Sequence, residues 1–120
     1  MTKRVVIVVD DNAASRMLPA LILRPFPLTV VECDTAQGVW SALAQKEVSH
    51  VLLDISMPGV NGMDVARSIR ADPTYAHVKL VAYTADAHLA PSGDLSAWGF
   101  DHVLVKPIQR DGLLAVLGLS

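Results

Sequence analysis

Short apolar runs alternate along the chain with segments whose apolar residues recur at helical spacing. Five runs of strand length are rich in β-branched residues, and they cover residues 5–9, 28–33, 50–54, 78–83 and 102–105. Continuous apolar runs of this kind are typical of strands that are covered on both faces of a sheet. The pattern therefore predicts five buried strands.

The segments between these strands predict helices. Asp34 or Thr35 can cap a helix that extends to about Lys46, and apolar residues at helical spacing predict another helix over residues 62–71. A last helix follows Pro107. Strands that alternate with helices indicate an α/β fold, here a doubly wound parallel sheet of five strands with right-handed crossovers.

The first helix carries a proline inside its apolar pattern, and the sequence Arg-Pro-Phe-Pro at residues 24–27 ends it. Because proline has no backbone N–H, Pro19 removes the helical hydrogen bond to the carbonyl of Ser15. We therefore expect a kink in this helix.

Composition narrows the class of protein. The chain has 120 residues, 52% of them hydrophobic, so we expect a single domain over residues 1–120 with a sizeable core. Its net charge of −2, from 10 basic and 12 acidic residues, argues against non-specific nucleic-acid binding. The one cysteine, Cys33, excludes an internal disulfide and fits a reducing compartment. Residues 5–9 are too short for a signal peptide and no stretch approaches a membrane span, so we expect a cytoplasmic protein.

Charged or hydroxyl side chains stand at the ends of four of the predicted strands. Asp10 and Asp11 follow the first strand, Asp54 ends the third, Thr84 follows the fourth and Lys106 follows the fifth. Ligands of open parallel sheets bind at the carboxyl ends of the strands, so these side chains should meet at one edge. Three carboxylates without histidine or cysteine beside them favour a hard cation, Mg²⁺ before Zn²⁺. Such a cation, together with Lys106, would neutralise the adjacent Asp10 and Asp11.

Four short motifs carry a resemblance to a known family. They are VDDN at residues 9–12, LLDISMPGVNG at 52–62, YTA at 83–85 and VKP at 105–107. In this order and spacing, over the whole chain, they resemble the response-regulator receiver domain, the CheY-like family of two-component signalling. The resemblance implies a flavodoxin-like sheet with strand order 2-1-3-4-5.

The resemblance implies a function in phosphorelay. Asp54 is similar to the aspartate that takes a phosphoryl group from a histidine kinase or a histidine phosphotransfer protein, and Thr84 and Lys106 would contact the phosphoryl oxygens. Such domains catalyse their own phosphorylation and dephosphorylation slowly, and their Lys-Pro bond, here Lys106–Pro107, is cis. Physical chemistry agrees with these roles, because cations must cancel the repulsion between a carboxylate and a charged phosphoryl group.

The resemblance also implies a Mg²⁺ site that includes the phosphoacceptor Asp54. Asp11 would bind the ion directly and Asp10 mostly through water. The backbone carbonyl of Ser56 would complete the ligands from the protein.

One departure from the family pattern raises an alternative function. Relatives usually carry Tyr or Phe three residues before the strand-five lysine, a ring that moves inward when the threonine closes on the phosphate, and this chain has Val103 there. The missing ring mildly favours a degenerate receiver that binds proteins without being phosphorylated, and the intact acidic residues argue against it. An aspartyl-phosphate hydrolase would carry a second acid two residues after its nucleophile, where this chain has Ser56, so that class fits poorly.

The missing ring also generates a prediction. Valine is stiff and too small to occupy two pockets, so the element that responds to phosphorylation should be the backbone of residues 84–93, which contains Pro91. A beryllofluoride mimic of the phosphoryl group should pull Thr84 inward and order this segment while Val103 keeps its rotamer. Hydrogen exchange and chemical shifts should then change over residues 84–95. Changes confined to the neighbours of Asp54, or a large rearrangement at Val103, would contradict this.

Overall fold

The computed structural model describes residues 4–45, 47–55, 62–84 and 99–119. The strands are β1 (Arg4–Val9), β2 (Leu28–Cys33), β3 (Val48–Asp54), β4 (Lys79–Thr84) and β5 (His102–Val105). The helices are α1 (Ala13–Leu23), α2 (Ala36–Gln45), α3 (Gly62–Ala71) and α4 (Arg110–Leu117), and a 3₁₀ turn, Pro73–Tyr75, follows α3. No helix in the described part of the chain is long and apolar enough to cross a membrane.

The five strands form one parallel sheet in the order β2-β1-β3-β4-β5. This confirms the α/β, doubly wound, flavodoxin-like fold. The strand bounds differ from the sequence prediction by at most two residues, at the start of β3. Of the segment that should respond to phosphorylation, only Thr84 belongs to the described residues.

The sheet separates two apolar cores, because successive side chains of a strand point to opposite faces. In β1, Val6 and Val8 point to one face and Ile7 and Val9 to the other. Helices α1 and α4 cover the first face, which we call the α1/α4 face, and α2 and α3 cover the second, the α2/α3 face. All four side chains are fully buried, which explains why β1 reads as a continuous apolar run.

Polar side chains fix the starts of two helices. Asn12 caps α1, since its Oδ1 accepts from the backbone N–H of Ser15 at 3.0 Å. The Oγ1 of Thr35 accepts from the N–H of Gly38 at 3.3 Å, so Thr35, one of the two residues considered, supplies the bond at the start of α2.

Arg70 of α3 holds the turn that leads into β5. Its Nε donates to the carbonyl of Gly99 at 2.9 Å and its Nη1 to that of Val78 at 2.6 Å, while its Nη2 pairs with Asp101. The same Asp101 carboxylate accepts from the N–H of Leu80 at 2.9 Å. Gly99 has a φ of 101°, and a Cβ there would lie 2.6 Å from the Arg70 Cγ. A side chain at position 99 would therefore disturb the arginine that orders the turn.

We expect Arg70→Met to lower the free energy of unfolding by about 2 kcal/mol, because the partly buried bonds to the carbonyls of Val78 and Gly99 and the ion pair with Asp101 are lost. Urea unfolding measures this. The control is Arg110→Met on α4, whose exposed guanidinium lies 3.9 Å from Asp111 and should contribute less than about 0.5 kcal/mol. Equal effects of the two substitutions would show that the Arg70 network adds nothing to stability.

Candidate functional site

The ends of β1, β3 and β4 bring the polar residues of the candidate site to one edge of the sheet. The register pairs Val9 of β1 with Leu53 of β3, so Asp10 and Asp54 follow side by side. The register of the next pair sets Asp54 against Tyr83 of β4. Because side chains alternate along a strand, Asp10, Asp54 and Tyr83 all point to the α1/α4 face. Three neighbouring strands thus contribute to one pocket.

A lysine ammonium joins the two buried carboxylates. The Lys106 Nζ donates to the Asp10 Oδ2 at 2.9 Å and to the Asp54 Oδ2 at 3.1 Å. Asp10 is completely buried and Asp54 nearly so. The second oxygen of Asp10, Oδ1, accepts from the backbone N–H of Asn12 at 2.9 Å. Each carboxylate therefore has at least one charged partner, which buried charges require.

The electrostatics of Lys106 follow from this position. Partial burial alone would lower the pKa of the ammonium, but the hydrogen bonds and the charges of Asp10 and Asp54 outweigh that effect and raise the pKa above its ordinary value. Lys106 is therefore charged at neutral pH, and its charge is held at the carboxylates.

The carboxylates of Asp10, Asp11 and Asp54 form a cluster suited to a metal ion. One oxygen of each lies within 4.8 Å of the others, and Asp11 is the exposed member. Three carboxylates and the Lys106 ammonium sum to a formal charge of −2, which a divalent cation balances. An all-oxygen donor set fits a hard cation such as Mg²⁺. The structure thus brings together the three acids in which the sequence predicts a Mg²⁺ site.

The other site residues named from the sequence have different outcomes. Thr84 is fully buried at the end of β4, and its carbonyl accepts from the backbone N–H of Lys106 at 2.7 Å. The Lys106–Pro107 peptide bond is cis, as the resemblance implies. Ser56, proposed as a backbone ligand, lies outside the described residues. Val103 is half-buried against the α2/α3 core, beside Ala82.

Sequence reasoning missed two residues that support the site. The guanidinium of Arg16 donates to the backbone carbonyl of Asp10 at 2.9 Å and lies 3.4 Å from Glu32, so it ties α1 to the ends of β1 and β2. The ring of Tyr83 lies under Lys106, with the Nζ 4.5 Å from the ring centroid. The YTA motif contains this tyrosine, but its contact with Lys106 depends on the strand register, which no local pattern reveals.

Solved structures of response regulators share the fold of this chain. CheY4 of Vibrio cholerae, a chemotaxis response regulator, has a TM-score of 0.86 and 20% sequence identity, and the match covers 98% of both chains. The response regulator receiver protein of Pseudomonas putida has a TM-score of 0.86 and 26% identity, and the match covers 100% of this chain and 99% of that one.

Sequence comparison identifies the family. The family model described as response regulator receiver domain matches residues 6–118, and the chain belongs to this family. The autoinducer sensor kinase/phosphatase CqsS of Vibrio cholerae is 31% identical over 113 residues, and the sensor protein GacS of Pseudomonas syringae is 31% identical over 115. Each match covers 93% of this chain but only 16% and 13% of those proteins. The chain therefore spans less than a fifth of the length of these curated relatives.

The geometry separates the effects expected of the two adjacent acids. Asp11→Asn should raise the free energy of unfolding of the metal-free protein by up to about 1 kcal/mol, because it removes one of three mutually repelling carboxylates. Asp10→Ala should not raise it, because it also breaks the bonds from Lys106 and the Asn12 N–H. Urea unfolding in EDTA measures both.

Magnesium titration of Asp11→Asn completes the test. Asp11→Asn should weaken Mg²⁺ binding at least tenfold, as loss of a charged ligand does. A less stable metal-free Asp11→Asn protein with unchanged Mg²⁺ affinity would show that Asp11 has a structural role instead.

Proposed function

We propose that the chain, as one receiver domain over residues 1–120, accepts a phosphoryl group on Asp54 with Mg²⁺ bound beside it. The donor is a phosphohistidine of a histidine kinase or of a histidine phosphotransfer protein. The observation that carries the proposal is that the Asp54 carboxylate lies within 4.8 Å of those of Asp10 and Asp11 and also accepts a hydrogen bond from the Lys106 ammonium at 3.1 Å. Cations can then act on its carboxylate.

The three acids are not equivalent as acceptors. Burial and the bond from Lys106 do not separate Asp10 from Asp54, because both carboxylates are buried and both accept from the ammonium. Asp11 is exposed, on the side of the cluster that faces solvent. Asp54 ends β3, the middle strand of the sheet, so β1 lies on one side and β4 on the other. This central position favours Asp54 as the nucleophile.

The transfer moves one phosphoryl group to Asp54, and cations at the site would offset the negative charge that this group brings. An oxygen of Asp54 forms a bond to phosphorus as the bond from phosphorus to the histidine nitrogen breaks, and the electron pair stays on the imidazole. Lys106 can shift one of its bonds from the carboxylates to a phosphoryl oxygen, and Thr84 would supply a hydroxyl on the neighbouring strand. A Mg²⁺ ion held by Asp10, Asp11, Asp54 and the Ser56 carbonyl would supply the remaining positive charge.

The partner follows from the class of donor. Two relatives that match over most of this chain are named as a sensor kinase/phosphatase and a sensor protein, which supports a histidine kinase in the same signalling pathway. The reaction requires phosphohistidine inside the cell, and the single, buried Cys33 is compatible with that location. A cytoplasmic location is therefore part of the proposal.

The decisive experiment is intact-mass analysis after incubation with acetyl phosphate and Mg²⁺. The protein should gain one phosphoryl group, in a reaction that breaks the phosphorus–oxygen bond and releases acetate. Asp54→Asn should remove the label, whereas Asp64→Asn, on the exposed side of α3, should keep it. EDTA should suppress labelling in every variant.

The other outcomes distinguish the alternatives. A label that persists in Asp54→Asn, or a phosphopeptide that contains Asp10, would overturn the assignment. Complete absence of label with Mg²⁺ bound would favour the phosphorylation-independent binding module. Rapid hydrolysis of acetyl phosphate without accumulation of the phosphoprotein would favour a hydrolase.

A further inference from the structure

Tyr83 joins the site to helix α1 through two contacts. Its ring lies beneath Lys106, with the ammonium nitrogen 4.5 Å from the ring centroid, a distance at which a cation is attracted to the face of an aromatic ring. Its hydroxyl donates to the backbone carbonyl of Ser15 at 3.1 Å. Burial raises the pKa of the phenol, although Lys106 opposes this, so the hydroxyl keeps the proton that it donates.

Pro19 explains why this carbonyl is available. In an α-helix the carbonyl of residue 15 accepts from the N–H of residue 19, and Pro19 has none. A carbonyl shielded from water is destabilising without a donor, and the Tyr83 hydroxyl supplies a bond to this partly buried carbonyl. The proline and the tyrosine therefore complement each other, although 64 positions separate them in the chain.

We propose that Tyr83 is a positioning residue for Lys106: its ring supports the ammonium at the site, and its hydroxyl fixes the ring to the Ser15 carbonyl that Pro19 leaves without a helical partner. The role in phosphorylation rests on the proposed function, in which Lys106 contacts the phosphoryl group. The contact itself joins two side chains of the protein and can be tested separately.

The role differs from that of the aromatic that Val103 replaces. Val103 and Ala82 are paired and pack against the α2/α3 core. Tyr83 is adjacent to Ala82 in β4 and therefore points to the opposite face, where it is completely buried in the α1/α4 core. A ring fixed in this way has no second position to occupy. The buried, hydrogen-bonded ring is therefore suited to hold Lys106 in place.

Two substitutions separate the ring from the hydroxyl. Tyr83→Phe keeps the ring and removes the bond to Ser15, whereas Tyr83→Leu removes both. With acetyl phosphate and saturating Mg²⁺, Tyr83→Leu should slow phosphorylation of Asp54 on the order of fivefold, and Tyr83→Phe should retain at least half of the rate. Mg²⁺ affinity should change less than about twofold in both, since the acids are intact. Tyr75→Leu, at a half-buried tyrosine that packs against the α2/α3 core, is the matched control and should keep the wild-type rate.

Stability tests the link to Pro19. Tyr83→Phe should lower the urea midpoint in the natural background, where the Ser15 carbonyl loses its donor. The same substitution should have a clearly smaller effect in Pro19→Ala, whose new N–H reaches that carbonyl. Equal effects in the two backgrounds would show that the proline and the tyrosine are independent, and would overturn this half of the proposal.

The NMR signal of the lysine gives a readout that does not require phosphorylation. The ε-protons of Lys106, assigned with Lys106→Arg in the metal-free protein, should be shifted upfield by the ring. The shift should persist in Tyr83→Phe and disappear in Tyr83→Leu. An unshifted signal in the natural protein, or equal phosphorylation rates in all three proteins, would overturn the positioning role. If the natural protein shows the shift but takes no phosphoryl group, the proposed function fails while the contact stands.

Discussion

The contact of one ammonium with two buried carboxylates is the interaction on which the site depends. Asp10 and Asp54 lie at the ends of neighbouring strands and are shielded from water, and Lys106 bonds to both. Removing one partner of such a group typically costs about 3–5 kcal/mol, because it leaves a buried charge without compensation. The sheet order meets this requirement, since it places the lysine two strands away from Asp54, within reach of its long side chain.

The same contact leaves the site short of positive charge. One lysine cannot balance three carboxylates, and the exposed Asp11 adds the third. A fold optimised for stability alone would replace Asp11, since strained groupings of like charge persist at functional sites rather than elsewhere. The unbalanced negative charge is therefore the physical reason to regard the cluster as a candidate site for a divalent cation.

Periodicity was sufficient to predict the sheet because the determining signals are local. The strand at residues 28–33 is delimited by Pro27 before it and by a capping Thr35 after it. Asp10, Asp54 and Lys106 were predictable for a similar reason, since each stands at the end of an apolar run. The ring of Tyr83 was not, because its partners come from β5 and α1, and only the register and the three-dimensional packing bring them together. The choice of Thr35 over Asp34 likewise required atomic geometry, since both side chains can cap a helix.

The way in which β5 is held has a consequence for the speed of events at the site. Asp101 immediately precedes β5, and its N–H donates to the Leu80 carbonyl at 2.7 Å. Lys106 immediately follows β5, and its N–H donates to the Thr84 carbonyl, also at 2.7 Å. Arg70 further fixes the start of the strand. With its backbone bonded on either side of a four-residue strand, Lys106 can change partners by rotating its side-chain torsions alone. Such rotations take picoseconds to nanoseconds when a side chain is exposed and longer when it is packed, but they do not require the microsecond to millisecond motions of whole elements. A change of partner at Lys106 therefore requires no movement of the β5 backbone, and slower motions of whole elements should arise in other parts of the molecule.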